Sequence, residues 1–275
     1  MLDVLGRDCR PLKEKKLFLL DMDGTIYEGG RLFAGTLPLL QAIADKGGRY
    51  LFLTNNSSRG VEDYVKKLRR LGIEAASEDF LTSVHAAIHV LKKEYPDAVC
   101  YVAGTASFRR QLMDAGIKVR DSLSDDITLL LSGFDTELTF QKLEDSCILL
   151  NRGVPWLATN PDWVCPTAYG CVPDCGSVCQ MLTRATGREP RFLGKPQSDM
   201  VHLALARTAL LPAEAVMVGD RLYTDIACGV NAGIDTVFVL SGEGTEKDIE
   251  ERNIHPTWVM EDIAQLYRQM EGENP

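Results

Sequence analysis

Two aspartates stand two residues apart at the end of an apolar run, Leu17-Phe18-Leu19-Leu20-Asp21-Met22-Asp23-Gly24-Thr25. Carboxylates so spaced can share a divalent cation while one of them attacks an electrophile or moves a proton. Alternate positions of an extended chain face the same side, so both side chains can reach one site. Taken alone, Asp-x-Asp-Gly is also an ordinary solvated turn, and the rest of the chain has to decide. Three more polar clusters follow apolar runs: Thr54-Asn55-Asn56-Ser57-Ser58, Gly194-Lys195-Pro196, and Gly219-Asp220-Arg221-Leu222-Tyr223-Thr224-Asp225. Asp21, Asp23, Asp220 and Asp225 gathered around Lys195 would make a site. Such carboxylates cannot all be ionised side by side without a compensating cation, and hard oxygen donors with few histidines favour Mg²⁺ over zinc.

The elements that would gather them alternate strand and helix. Leu17 to Leu20 and Tyr50 to Leu53 read as buried parallel strands, because they are continuous apolar runs ending in polar turns. Phe80-Leu81, Ala215 to Val218, Asp235 to Leu240 and Trp258-Val259 add shorter strands. Helices are expected over 36–46, 62–71, 84–95, 198–209, 245–252 and 260–268, with Gly47 and Gly72 as stops. The fold class is α/β, a doubly wound parallel sheet whose carboxyl ends all open onto one crevice. A strand ending at Phe192-Leu193 is expected to deliver Lys195 to that crevice as the fourth polar strand end.

A second alternation interrupts this sheet: strand 98–103, helix 105–115, strand 127–131, helix 139–151 and strand 155–159. A loop rich in turn formers, 160–173, and a helix over 176–185 follow. We therefore expect residues 1–95 and 189–275 to form the core domain, and 96–188 an inserted α/β cap acting as a lid.

The 275 residues are 45% apolar and 25% charged, an ordinary globular composition. A net charge of −9 with no basic stripe argues against a nucleic-acid surface, and no apolar run is long enough to cross a membrane. The N-terminus lacks a signal-peptide core, so a cytoplasmic location is expected. The Cys165, Cys171, Cys175 and Cys179 group has neither a CxxC pair nor a nearby histidine, and reads as buried thiols rather than zinc ligands. His85 and His89, an i,i+4 pair with no third ligand, read as structural or surface residues. Residues 1–16 read as a solvated lead-in.

The four clusters, Asp21-x-Asp23-Gly-Thr25, Leu53-Thr54-Asn55-Asn56, Gly194-Lys195-Pro196 and Gly219-Asp220-(x)4-Asp225, resemble in order the four motifs of the haloacid dehalogenase superfamily. The Thr-Asn-Asn-Ser form of the second motif, the α/β insert and Ala158-Thr159-Asn160-Pro161-Asp162 are similar to its NagD-like, p-nitrophenyl phosphatase branch. The resemblance spans Leu17 to about Val259. It implies a Mg²⁺-dependent phosphatase working through an aspartyl-phosphate on small phosphorylated metabolites, with Asp21 as nucleophile and Asp23 as acid and base. It further implies that Thr54, the amide of Asn55 and Lys195 bind the transferring oxygens. Mg²⁺ would be held by Asp21, the backbone carbonyl of Asp23 and Asp220, with Asp225 behind them. In the cap, Asn160 and Asp162 are the candidates for substrate contact. Arg221, Ser57, Ser58 and Arg59 are expected to be local hydrogen-bonding or surface residues. Two copies are expected to pair through the cap. Interception of the phosphoenzyme by an alcohol, giving a phosphotransferase or mutase, and a non-catalytic phospho-ligand binding protein are the alternatives.

Overall fold

The computed structural model describes residues 1–167 and 169–272. The chain forms two compact units, one of Met1–Thr54, Tyr64–Leu81 and Lys195–Pro275, the other of Asn55–Asp63 and Thr82–Gly194.

The first unit is built on a six-stranded sheet in the order Trp258–Met260, Asp235–Val239, Ala215–Gly219, Leu17–Leu20, Arg49–Thr54, Phe80–Thr82. The pairings from Trp258–Met260 through Arg49–Thr54 are parallel. Every residue of Leu17–Leu20 and of Ala215–Gly219 is buried. Such strands lose the alternation of a half-exposed sheet because helices cover both faces. From Leu17–Leu20 the chain moves outward through Arg49–Thr54, then returns on the opposite side through Ala215–Gly219. The strand order therefore reverses at Leu17–Leu20, where an open parallel sheet leaves a crevice at its carboxyl edge. Asp21 ends one of the two strands at that point and Asp220 ends the other.

The first sixteen residues are not a solvated lead-in. Val4 N donates to Val259 O at 3.0 Å and Val259 N to Asp3 Oδ2 at 2.9 Å, so the arm satisfies the open side of the edge strand. Leu12 is fully buried, and Lys15, its side chain 6% exposed, meets Asp235 Oδ2 at 2.5 Å. No apolar periodicity marks a segment held by backbone pairing and charge. Between the first strand and the first helix the chain makes a short antiparallel hairpin, Tyr27–Glu28 with Arg31–Leu32. The last helix, Ile263–Glu271, starts where Asp262 accepts from Gln265 N at 2.8 Å.

The second unit has its own five-stranded parallel sheet, in the order Arg191–Phe192, Trp156–Ala158, Leu129–Ser132, Val99–Ala103, Lys118–Arg120. Tyr101, Leu130, Leu149, Leu150, Trp156 and Leu182 form its core. Buried polar groups there are paired: Trp156 Nε1 donates to Ser132 Oγ and Tyr101 Oη to Asp145 Oδ2, both at 2.9 Å. Two expectations are corrected and one strand is added. Arg191–Phe192 pairs with Trp156–Ala158 and so belongs to this sheet rather than to the first one. Lys118–Arg120 is an edge strand whose polar ends hide it from a hydrophobic pattern. The expected loop over 160–173 contains an antiparallel hairpin, Val164–Thr167 with Gly170–Pro173; its two prolines lie on a two-stranded ribbon, where missing N–H groups are tolerated.

His85 turns its ring back to the start of its own helix, where Nδ1 lies 3.1 Å from Thr82 N, while His89 is exposed. Among the described residues none of the eight cysteines is in a disulfide. Five are buried, but Cys171 is exposed and Cys147 and Cys165 are half-buried, because 165 and 171 fall on the hairpin. Among the described residues no helix is long and apolar enough to cross a membrane.

The central strand has no slack for a lost side chain. Leu19→Ala should lower stability by about 3 kcal/mol, read from the urea midpoint. Leu37→Ala on the exposed face of the first helix should change it by about 0.5 kcal/mol or less.

Candidate active site

Asp21, Asp220 and Asp225 each present a carboxylate oxygen, all within 4.8 Å of one another. Asp21 leaves the end of Leu17–Leu20, its N–H donating to Val218 O at 2.9 Å, and Asp220 leaves the adjacent Ala215–Gly219. Asp225 comes from a widened helical turn, Leu222–Ile226, with π-helical hydrogen bonding, Ile226 N donating to Arg221 O at 3.2 Å. Such a bulge re-aims a side chain, and here it turns Asp225 back so that Arg221 N donates to its Oδ2 at 3.1 Å. Lys195 lies among these acids, with Nζ 2.5 Å from Asp21 Oδ1, 2.6 Å from Asp225 Oδ1 and 3.4 Å from Leu53 O. Its side chain is 3% exposed. It does not follow a strand of the first sheet, as expected, but comes directly off the return from the second unit.

The electrostatics follow from this crowding. Burial and then the Asp225 charge push the Asp21 carboxyl well above the usual carboxylate range, against the pull of Lys195. Burial and Asp225 likewise push Asp220 up to about 6. For Lys195, burial disfavours the ammonium, but the Asp21 and Asp225 charges outweigh it and hold the group above its ordinary value. Arg221 is also held up, its burial outweighed by Asp21, Glu243, Asp225 and Asp220. Three acids against Lys195 leave a local excess of negative charge in oxygen donors, which suits a hard divalent cation.

Asp220 is held on several sides. Glu243 N donates to its Oδ2 at 2.8 Å and Thr25 Oγ1 lies 3.5 Å from its Oδ1. Gly24, in the left-handed region at φ +84°, and Gly242 both press on the carboxylate, where a Cβ would overlap it. The contribution of Ser241-Gly242-Glu243, after Asp235–Val239, was missed in the sequence. The signal was present, since these residues form another polar cluster after an apolar strand.

Asp23 stands apart from the acidic group. It is mostly exposed, Tyr27 Oη donates to its Oδ2 at 3.0 Å, and Lys67 Nζ lies 3.5 Å from its Oδ1 and 3.9 Å from the Tyr27 ring centre. Burial, and then Asp23, raise the Tyr27 phenol so that it stays a donor. Nothing in the sequence pointed to Tyr27 or Lys67. Thr54 closes Arg49–Thr54, the strand beside Leu17–Leu20.

The remaining candidates lie in the second unit. Asn55 Nδ2 donates to Asp162 Oδ2 at 2.9 Å, and Ser83 Oγ donates to Asn55 O at 2.6 Å. Asn160 is fully buried, its amide donating to Asp162 Oδ2 at 2.9 Å and Asp174 Oδ1 at 3.0 Å while its Oδ1 accepts from Thr159 Oγ1. With both amide hydrogens committed, Asn160 ties Asp162 and Asp174 together. Ser57 Oγ lies 3.1 Å from Thr159 Oγ1 and accepts from Phe134 N, and Ser58 bonds to Asn56 Oδ1. Gln111 Nε2 donates to Arg59 O at 3.3 Å.

The family model of haloacid dehalogenase-like hydrolases matches residues 18–118, and a HAD-hydrolase-like model matches residues 192–266. An acid sugar phosphatase of Staphylococcus aureus is 31% identical over 260 residues, covering 94% of this chain and 100% of the relative. The crystal structure of a 4-nitrophenylphosphatase from Thermotoga maritima is similar with a TM-score of 0.90 at 35% identity, covering 95% of this chain and 99% of that one. A glycerol phosphate phosphatase from Mycobacterium tuberculosis, solved in complex with magnesium, gives a TM-score of 0.87 at 30% identity over 95% of this chain and 79% of its own.

A divalent ion at the three acids must compete with protons. With Asp220 pushed up to about 6, its proton is retained below that pH and lost above it, so ion binding should strengthen as pH rises through this window. Magnesium should raise the thermal midpoint clearly at about pH 7.5 and hardly at about pH 5. An equal rise at both would contradict the assignment.

Proposed function

Because the chain belongs to the haloacid dehalogenase-like hydrolases, in their NagD-like p-nitrophenyl phosphatase branch, and is thereby a phosphatase, we propose that it hydrolyses small phosphomonoesters, sugar phosphates among them, through an aspartyl-phosphate on Asp21. The observation that carries this is Lys195 Nζ, 2.5 Å from Asp21 Oδ1 and 2.6 Å from Asp225 Oδ1, beside Asp220 at the reversal of strand order. The relatives' names support the substrate class, since an acid sugar phosphatase, a 4-nitrophenylphosphatase and a glycerol phosphate phosphatase all act on small phosphate esters.

In this reading Asp21 attacks phosphorus, forming an O–P bond as the ester O–P bond breaks, and Asp23 gives its proton to the departing alcohol oxygen. Asp23 then takes a proton from the incoming water, whose oxygen attacks phosphorus and breaks the O–P bond to Asp21, releasing phosphate. Exposure of Asp23 suits a group that trades protons with substrate and water, and Tyr27 and Lys67 orient it. Lys195, kept cationic by its two acids, holds Asp21 in line and offsets charge on the transferring oxygens together with Thr54 and the amide of Asn55. Mg²⁺ suits the donor set; Asp21, Asp220 and the Asp23 carbonyl would hold it with Asp225 behind them, and it would supply charge neutralisation for an anionic substrate facing an anionic nucleophile. Residues 96–188, the cap, would choose the leaving group. A cytoplasmic location and pairing through the cap belong to the same reading.

The test is phosphate release from p-nitrophenyl phosphate with and without Mg²⁺. Chelation should abolish turnover and magnesium restore it, and Asp21→Asn should lose at least about 10³-fold in kcat. Asp23→Asn should accumulate a hydroxylamine-sensitive phosphoenzyme, because hydrolysis of the intermediate lacks its base. Turnover by Asp21→Asn at the wild-type rate would refute the nucleophile.

A further inference from the structure

We propose that Glu243 is a positioning residue that sets the divalent-ion affinity of the acidic site, acting through Asp220 and Arg221; this rests on the magnesium reading above. Asp220 and Asp225 lie in the segment after Ala215–Gly219, whereas Glu243 lies in the separate loop after Asp235–Val239. This one residue ties the two together at three points. Its N–H donates to Asp220 Oδ2 at 2.8 Å, its Oε2 lies 2.8 Å from Arg221 Nε, and its Oε1 accepts from Tyr223 Oη at 2.8 Å. Arg221 in turn donates its backbone N–H to Asp225 Oδ2 at 3.1 Å. Each residue of the Arg221–Glu243 pair thus fixes one of the two carboxylates with its backbone while the side chains hold each other. Tyr223 is steadied from its other side by Arg252, whose guanidinium carbon lies 4.9 Å from the ring centre.

The reason for such a tie is the repulsion it resists. Asp21, Asp220 and Asp225 push one another apart until a cation is present, and loops free to relax would spread them. Carboxylates already held at a spacing that suits an ion need less reorganisation when it binds. A different account would credit Glu243 only with its charge, as one more anion near the ion. The two accounts predict opposite signs at Arg221. If charge alone mattered, removing the guanidinium would tighten binding; if the tie matters, removing either partner weakens it.

The experiment is isothermal titration of the metal-free protein with magnesium, without substrate, for wild type, Glu243→Ala, Glu243→Gln and Arg221→Gln. Glu243→Ala should weaken binding about tenfold, the lower end of what losing an outer partner of a metal ligand costs. Arg221→Gln should also weaken it, and Glu243→Gln, which still accepts from Tyr223, should fall between wild type and Glu243→Ala. In turnover the loss should fall on the magnesium concentration for half-maximal rate more than on kcat at saturating magnesium. Circular dichroism and the metal-free thermal midpoint show whether each variant folds, and Glu243→Gln, the milder change, carries the test if Glu243→Ala does not. Wild-type affinity in Glu243→Ala, or tighter binding in Arg221→Gln, would overturn the inference while leaving the magnesium reading intact. No heat of binding and no thermal shift with the wild type would instead overturn the magnesium reading, and this inference with it.

Discussion

Three carboxylates from one crevice, with oxygens within 4.8 Å of one another, face a single buried ammonium. At an effective dielectric of about 20, two unit charges at that spacing repel by about 3 kcal/mol, comparable with a sizeable share of a domain's whole stability. The repulsion is the central constraint on the first unit. It is answered partly by Lys195, whose contacts at 2.5 and 2.6 Å span two of the acids. Backbone donors answer more of it: Glu243 N on Asp220 and Arg221 N on Asp225. What is left unanswered is negative charge that a divalent cation satisfies, so the strain at the site and its chemistry have one origin.

The parallel sheet makes the crowding affordable. Leu17–Leu20 and Ala215–Gly219 are buried throughout and paired in register, Leu20 opposite Val218. A rigid pair of strands fixes where the backbones of Asp21 and Asp220 emerge, which leaves only their side chains to be held by the donors around them. Flexible loops carrying the same residues would separate until the acids were solvated, and the raised proton affinity of Asp21 and Asp220 would vanish.

The motif residues were legible in the sequence because each sits where an apolar strand gives way to polar residues. Asp21, Thr54 and Asp220 follow that rule, as does Ser241-Gly242-Glu243, which was overlooked although it obeys it. Lys195 was found on its neighbours Gly194 and Pro196 while its strand was misplaced, since Arg191-Phe192 is too short for its pattern to say which sheet it joins. The N-terminal arm and the 164–173 hairpin were missed for a common reason. Both are held by main-chain pairing and isolated polar contacts, such as Asp3 with Val259 N, which leave no periodicity to read. Tyr27 and Lys67 were invisible because their part depends on a contact with Asp23 that only the folded chain makes.

The placement of Lys195 has a further physical consequence. Asp21 and Asp220 come from strands that the sheet fixes, but the ammonium arrives on the segment by which the chain returns from the second unit. Gly194 N donates to Thr159 O at 2.7 Å, and a Cβ on Gly194 would meet both that oxygen and Asn55 Oδ1. The residue just before Lys195 is therefore packed against Asn55 and the Thr159-Asn160 turn, and Asn160 is itself locked by Asp162 and Asp174. Lys195 thus inherits its starting point from a network of buried amides and carboxylates within the second unit. The polar cluster at 159–162 anchors the segment that ends at Gly194, one residue before the ammonium-bearing Lys195.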